Sequence, residues 1–203
     1  MRASWGYRIV AAAGLSLLSA CAAAQVPAKP GSPLTSQELR DDPCRAYTAK
    51  SMQRVLAGTL KRAGWPQVTG NPPTSRIAAN VQRCLYQFSP KDSRRDGDQS
   101  LRVYIYNELD NGAKLMAACR TRPLRGAPMS TIGDESCIDD SGELRFRVGD
   151  SYVAVLIDVP PRLQSGNRVL NASDTSTFTA PSRPTDLAAL ALPVARDLAE
   201  RLH

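Results

Sequence analysis

Histidine is nearly missing from this chain of 203 residues: its one imidazole is His203, the last residue. A serine-hydrolase triad needs an imidazole to carry the proton, and zinc needs imidazole or thiolate ligands at short spacing. A lone terminal histidine serves neither. No two cysteines stand as Cys-x-x-Cys, which removes thioredoxin-like redox chemistry. There is no Gly-x-Ser-x-Gly elbow, no glycine-rich phosphate loop and no dinucleotide fingerprint. No lysine–arginine run is interleaved with aromatics, so nucleic acid is not an expected partner. The longest N-terminal apolar stretch, 9–20, falls well short of the ~20 residues that span hydrocarbon. From these absences we expect no enzymatic activity, no cofactor and no metal.

What is present begins at the N-terminus. Arg2 and Arg8 precede that apolar stretch, with no twin-arginine pair, and the stretch closes on Leu17-Leu18-Ser19-Ala20-Cys21. This pattern resembles the lipobox of bacterial lipoproteins, in which the cysteine is acylated and becomes the mature N-terminus. The resemblance implies a signal peptide at 1–20, lipidation of Cys21 and a partner in the membrane itself. Each buried methylene contributes about 0.8 kcal/mol, so two or three acyl chains anchor stably. It also implies an extracytoplasmic position on a cell membrane. Ala22, rather than aspartate, follows the cysteine, which points to the outer membrane where the host has one.

Removing 1–20 leaves 24 basic against 19 acidic residues, an excess of five. So mild an excess reads as an ordinary solvated surface. Residues 21–35 carry Pro27, Pro30, Gly31 and Pro33 among small residues and read as a flexible tether. The rest, 36–203, suits one domain with a sizeable core.

Within it a first helix is expected from about 43 to 63, with Met52, Val55, Leu56 and Leu60 on one stripe. Gly64 and Pro66 stop it. Strands follow at about 81–89 and 101–106, where Leu101, Val103 and Ile105 alternate with Arg102, Tyr104 and Tyr106. A helix near 110–120 uses Leu115, Met116 and Cys119. Strands then come at 135–139, 143–148 and 151–159, with Gly149-Asp150 as a tight turn. The apolar run in the last of them argues for a central strand. Residues 160–184 read as a long polar loop. A closing helix over 185–202 carries Leu187, Leu190, Val194, Leu198 and Leu202, with Pro193 expected to bend it or displace its start. The fold class is therefore α+β: one domain, an antiparallel sheet of about five strands, and N-terminal, middle and C-terminal helices packed on it.

Cys44, Cys84, Cys119 and Cys137 form an even set in an oxidising compartment, where two disulfides admit three connectivities. We expect Cys44–Cys84 and Cys119–Cys137, each tying a helix to a strand. Arg102, Tyr104 and Tyr106 on one strand face form a possible ligand-binding surface, the alternative being a face covered by a helix. Asp96 with Asp98, and Asp139 and Asp140 with Glu143, read as solvated turns rather than calcium or catalytic sites.

Asp42-Pro43-Cys44 opening a helix, Cys84-Leu85-Tyr86 starting a strand and Ile132-Gly133-Asp134-Glu135 before a hairpin together resemble a family. So do Arg147-Val148-Gly149-Asp150 and a closing helix with Leu187, Ala188 and Leu198. The family is that of small actinobacterial lipoproteins with an uncharacterised domain, similar in layout to the extracellular sensor domains of bacterial serine/threonine kinases. The resemblance implies a non-enzymatic binding or sensing domain, its ligand an envelope protein, a wall polymer or a lipid. An envelope hydrolase, or an inhibitor of one, acting through surface loops is the competing expectation.

Overall fold

In the computed structural model of the chain, residues 31–63, 65, 67–78, 81–91, 101–108, 111–127, 131–159, 168–170, 177–179 and 183–202 are described. Capping side chains set the N-terminal elements. Thr35 accepts from the Glu38 amide and the Glu38 carboxylate accepts in return, opening α1 (Ser36–Asp41). Asp42 accepts from the Cys44 amide at 2.9 Å and starts a 3₁₀ turn, Pro43–Ala46. Thr48 and Ser51 repeat the reciprocal box at the head of α2 (Ala49–Arg62). The helix expected from about 43 to 63 is thus two elements, the 3₁₀ turn and α2, and α1 precedes it unanticipated. Pro43 disfavours helical backbone at the residue before it, and each capping oxygen satisfies amides that would otherwise need a longer helix.

The strands are β1 (Val68–Gly70), β2 (Thr74–Ala78), β3 (Val81–Pro90), β4 (Leu101–Asn107), β5 (Glu135–Ile138), β6 (Leu144–Val148) and β7 (Ser151–Asp158). Their order is β1-β3-β4-β7-β6-β5, antiparallel throughout, with β2 also on β3. β1 and β2 lie end to end along one edge of β3, Val68–Gly70 facing its last residues and Thr74–Ala78 its first. Pro72 and Pro73, which lack amide hydrogens, separate them, as an edge position allows. Between β4 and β5 the chain forms α3 (Gly112–Thr121), and after the hairpin β8 (Arg168–Leu170) and β9 (Thr177–Thr179) it ends in α4 (Pro184–Arg201).

One face of the sheet carries the core. Cys84, Ile105, Val155 and Leu144 form one cross-strand row, and Tyr86, Val103 and Ile157 the next; all are buried. Met52, Leu56 and Leu60 of α2 and Leu187, Leu190, Val194 and Leu198 of α4 pack on that face in one cluster. Cys44 is bonded to Cys84, clamping the 3₁₀ turn to β3, and Cys119 to Cys137, clamping α3 to β5. Two such bridges suit an oxidising, extracytoplasmic setting.

The domain is α+β, as its pattern predicts, with differences that have physical causes. The main sheet has seven strands rather than five, because β1 and β2 are short edge strands beside prolines and show little alternation. The hairpin β8–β9 lies inside the expected loop at 160–184. α4 runs unbroken through Pro193, since Ala189, whose carbonyl loses its partner there, stands on the exposed side. Among the described residues no helix is long and apolar enough to cross a membrane. The expected signal at 1–20, Cys21, Asp96, Asp98 and His203 lie outside the described residues.

Candidate functional site

The opposite face of the sheet is built from the alternate residues of the same strands. Side chains of a strand point to opposite faces in turn, so burying Leu101, Val103 and Ile105 sends Arg102, Tyr104 and Tyr106 the other way. The register sets Tyr104 between Leu85 and Leu156, Arg102 between Gln87 and Asp158, and Tyr106 between Arg83 and Ala154. Tyr104 and Tyr106 stack with ring centroids 6.1 Å apart and planes inclined by 23°. The Arg83 guanidinium lies 5.4 Å from the Tyr104 centroid. Asp158 approaches Arg102 at 3.6 Å.

α3 covers only part of this face. It packs over β5, β6 and β7, and its first residue, Gly112, sits so close to Tyr152 that an added Cβ would overlap the ring. On the β3–β4–β7 side, Leu85, Tyr104, Tyr106 and Leu156 remain half-buried. The structure thus brings Arg102, Tyr104 and Tyr106 together with Arg83, which the sequence did not single out.

Beside this patch lies a second group. Arg145 of β6, 11% exposed, meets three carboxylates: Glu108 just past β4, Glu143 at 2.8 Å and Asp139 at 3.8 Å. Asp139 also closes the turn to β6, accepting from the amides of Ser141 at 3.0 Å and Glu143 at 3.1 Å. The expectation of solvated turns is right for exposed Asp140 and wrong for Asp139 and Glu143, whose side chains are 18% and 17% exposed. Arginine recruits them because burying its charge is costly without partners.

Burial pushes the Glu143 carboxyl up to about 7; Arg145 opposes the shift while Asp139 and Glu108 reinforce it. Burial likewise raises Glu108, against its hydrogen bond from Arg145. Burial works against the Arg145 charge, but Glu143, Glu108 and Asp139 outweigh it and hold the guanidinium protonated. Tyr106 is raised by burial, with Arg83 hydrogen-bonded to it and the Glu143 charge nearby. The tyrosine patch and the carboxylate cluster are therefore electrostatically joined. Among the described residues no group of His, Cys, Asp and Glu is arranged to hold a metal ion. Here Arg145 already takes the centre that a cation would need.

Glu108 and Arg145 were missed in the sequence because they stand 37 positions apart and meet only through the β4–β7–β6 register. The one available signal was the alternation of Glu143, Arg145 and Arg147 with Leu144, Phe146 and Val148. Comparison of the chain with family models, curated proteins and solved structures gives no match in any of the three.

Proposed function

We propose that this chain is a lipid-anchored envelope protein whose open sheet face binds a cell-wall glycan, without catalysing a reaction on it. The observation that carries this reading is the Tyr104–Tyr106 stack under the Arg83 guanidinium, half-exposed on a sheet whose other face is fully packed. Flat aromatic surface takes the apolar side of a sugar ring, while guanidinium, amide and carboxylate groups take its hydroxyls. Arg102, Gln87 and Asp158 supply such groups in the adjoining row. The apolar row Leu85–Tyr104–Leu156 is only three residues long and is flanked by Arg83, Arg102, Gln87 and Asp158, which suits a sugar ring better than the broad apolar centre of a stable protein–protein interface. The two disulfides support export, and the lipobox-like run ending in Cys21 supports an acyl anchor.

Capture of bound molecules from native envelopes by the acylated protein, with mass analysis of the eluate, tests the reading. Glycan fragments enriched over a Tyr104→Ala/Tyr106→Ala variant are the expected result. Enrichment of a protein or a lipid in their place would overturn the glycan assignment.

A second reading has one observation in its favour: a glutamate poised near pH 7 beside another carboxylate is what a hydrolase acting on glycans uses as its acid. Against it, Arg145 holds all three carboxylates. Release of soluble sugar from purified wall polymer that disappears in Glu143→Gln would establish that reading instead.

A further inference from the structure

On the packed face of the sheet, opposite the tyrosine patch, α2 and β1 line a half-open cavity of about 550 Å³. Its size lies within the roughly 300–1,000 Å³ of small-molecule sites. The floor is apolar: Leu60, Trp65 and Val68 are 3%, 6% and 5% exposed. The walls are fixed rather than loose. The Gln53 side-chain amide donates to the Val68 carbonyl, the Trp65 amide to the Leu60 carbonyl at 2.9 Å, and the Lys91 amide to the Gln67 carbonyl at 2.8 Å.

Among the described residues that line this cavity, the charge has one sign. Lys61 and Lys91 line it, both are exposed, and no acidic residue is among the described lining residues. Neither lysine is in an ion pair among the described residues. α2 itself carries Lys50, Arg54, Lys61 and Arg62 and no acid over its 14 residues. A buried apolar floor under a rim of two lysines that form no ion pair among the described residues is complementary to one chemical class.

We infer that this cavity binds an anionic amphiphile: a single apolar chain on the Leu60–Trp65–Val68 floor, with its carboxylate or phosphate between Lys61 and Lys91. The chain gains by leaving water and the head by meeting two ammonium groups at the mouth. This site is independent of the glycan-binding face, shares no residue with it and stands or falls separately.

Trp65 makes the test direct, since the only other tryptophan is Trp5, within the expected signal peptide. The mature protein is titrated, below micelle-forming concentrations, with dodecanoate, dodecyl phosphate, dodecyltrimethylammonium and inorganic phosphate, following tryptophan emission. Saturable changes are expected with dodecanoate or dodecyl phosphate and none with the cationic amphiphile or inorganic phosphate. A response to the carboxylate alone assigns a fatty acid, and one to the phosphate alone assigns a phospholipid-type head. Lys61→Gln/Lys91→Gln, surface changes that leave the core intact, should weaken binding roughly tenfold or more. Ala57→Phe, from an exposed position at the rim, should abolish the saturable phase. Equal responses to anionic and cationic amphiphiles, unchanged binding by the double lysine variant, or no response at all would overturn the assignment.

Discussion

Tyr47 donates a 2.5 Å hydrogen bond to the Asp197 carboxylate, joining positions 150 residues apart. Arg201 completes the latch. Its guanidinium donates to the Ser32 and Ala46 carbonyls, each at 2.9 Å, meets Asp197 at 3.2 Å and lies 5.1 Å from the Tyr47 ring centroid. Leu34 then pairs with the end of α4, its amide donating to the Arg201 carbonyl at 2.8 Å. The point where the chain enters the domain is thereby fixed beside its C-terminal helix. Burial pushes the Tyr47 phenol well above its ordinary range, and the Asp197 charge adds to the shift, so it stays a donor far into alkaline pH.

Removing either member of this latch should loosen the N-terminal segment. Tyr47→Phe is expected to cost about 1–2 kcal/mol, the loss of one buried hydrogen bond to a charged acceptor. Arg201→Met should cost about 3 kcal/mol or more, because two carbonyls and a carboxylate lose their partner. Urea midpoints give the two values, and amide exchange at Leu34 should accelerate in both variants.

The bridges lend themselves to separate measurement. Cys44–Cys84 spans 40 residues and Cys119–Cys137 spans 18, which in the chain-entropy model correspond to about 4 and 3 kcal/mol. Paired serine substitutions should lower stability in that order. Non-reducing peptide mapping of the native protein should return only these two linkages.

Glu143 gives the protein a distinctive response to pH. An unfolded glutamate ionises near 4.3, whereas burial raises this one to about 7 in the fold. Between those values the folded state binds the proton that the unfolded state has released. Stability therefore falls as pH rises through the window, and the loss is complete above about 7. Each unit is ~1.36 kcal/mol, so the whole effect is on the order of 3–4 kcal/mol, of which roughly 2–3 kcal/mol falls between pH 5 and pH 8. Glu143→Gln should gain that much relative to the native chain between pH 5 and pH 8, read from denaturant midpoints at the two values. A pH-independent difference would contradict the buried-carboxylate account.

Gly112 is a packing glycine. With α3 held down by Cys119, a methyl group at 112 has to displace the Tyr152 ring. Gly112→Ala should cost about 1–3 kcal/mol, the usual effect of overpacking, despite the higher helix propensity of alanine. Thermal melts of the single variant check the sign.

Much of the fold was legible because burial is one-sided. Leu101, Val103 and Ile105 alternate with Arg102, Tyr104 and Tyr106 since only one face of β4 meets the core, and β6 reads the same way. The stripe Leu187, Leu190, Val194, Leu198 and Leu202 marked α4 for the same reason, and all five are buried. β1 and β2 left no such trace: three and five residues at a proline-interrupted edge carry too short a period to detect. The site was half legible. Arg102, Tyr104 and Tyr106 share a face by strand periodicity alone, but Arg83 joins them only through the β3–β4 register. The meeting of Glu108, Asp139 and Glu143 at Arg145 depends on chain segments brought together by the whole sheet, which no local pattern encodes.

Co-sedimentation with purified, insoluble cell-wall polymer tests the central claim most directly, using the acylated protein in detergent beside its Tyr104→Ala/Tyr106→Ala variant. The native protein should pellet with the polymer, and the variant should bind roughly tenfold or more weakly at an unchanged melting temperature. Equal pelleting of both proteins, or pelleting of neither, would contradict the account.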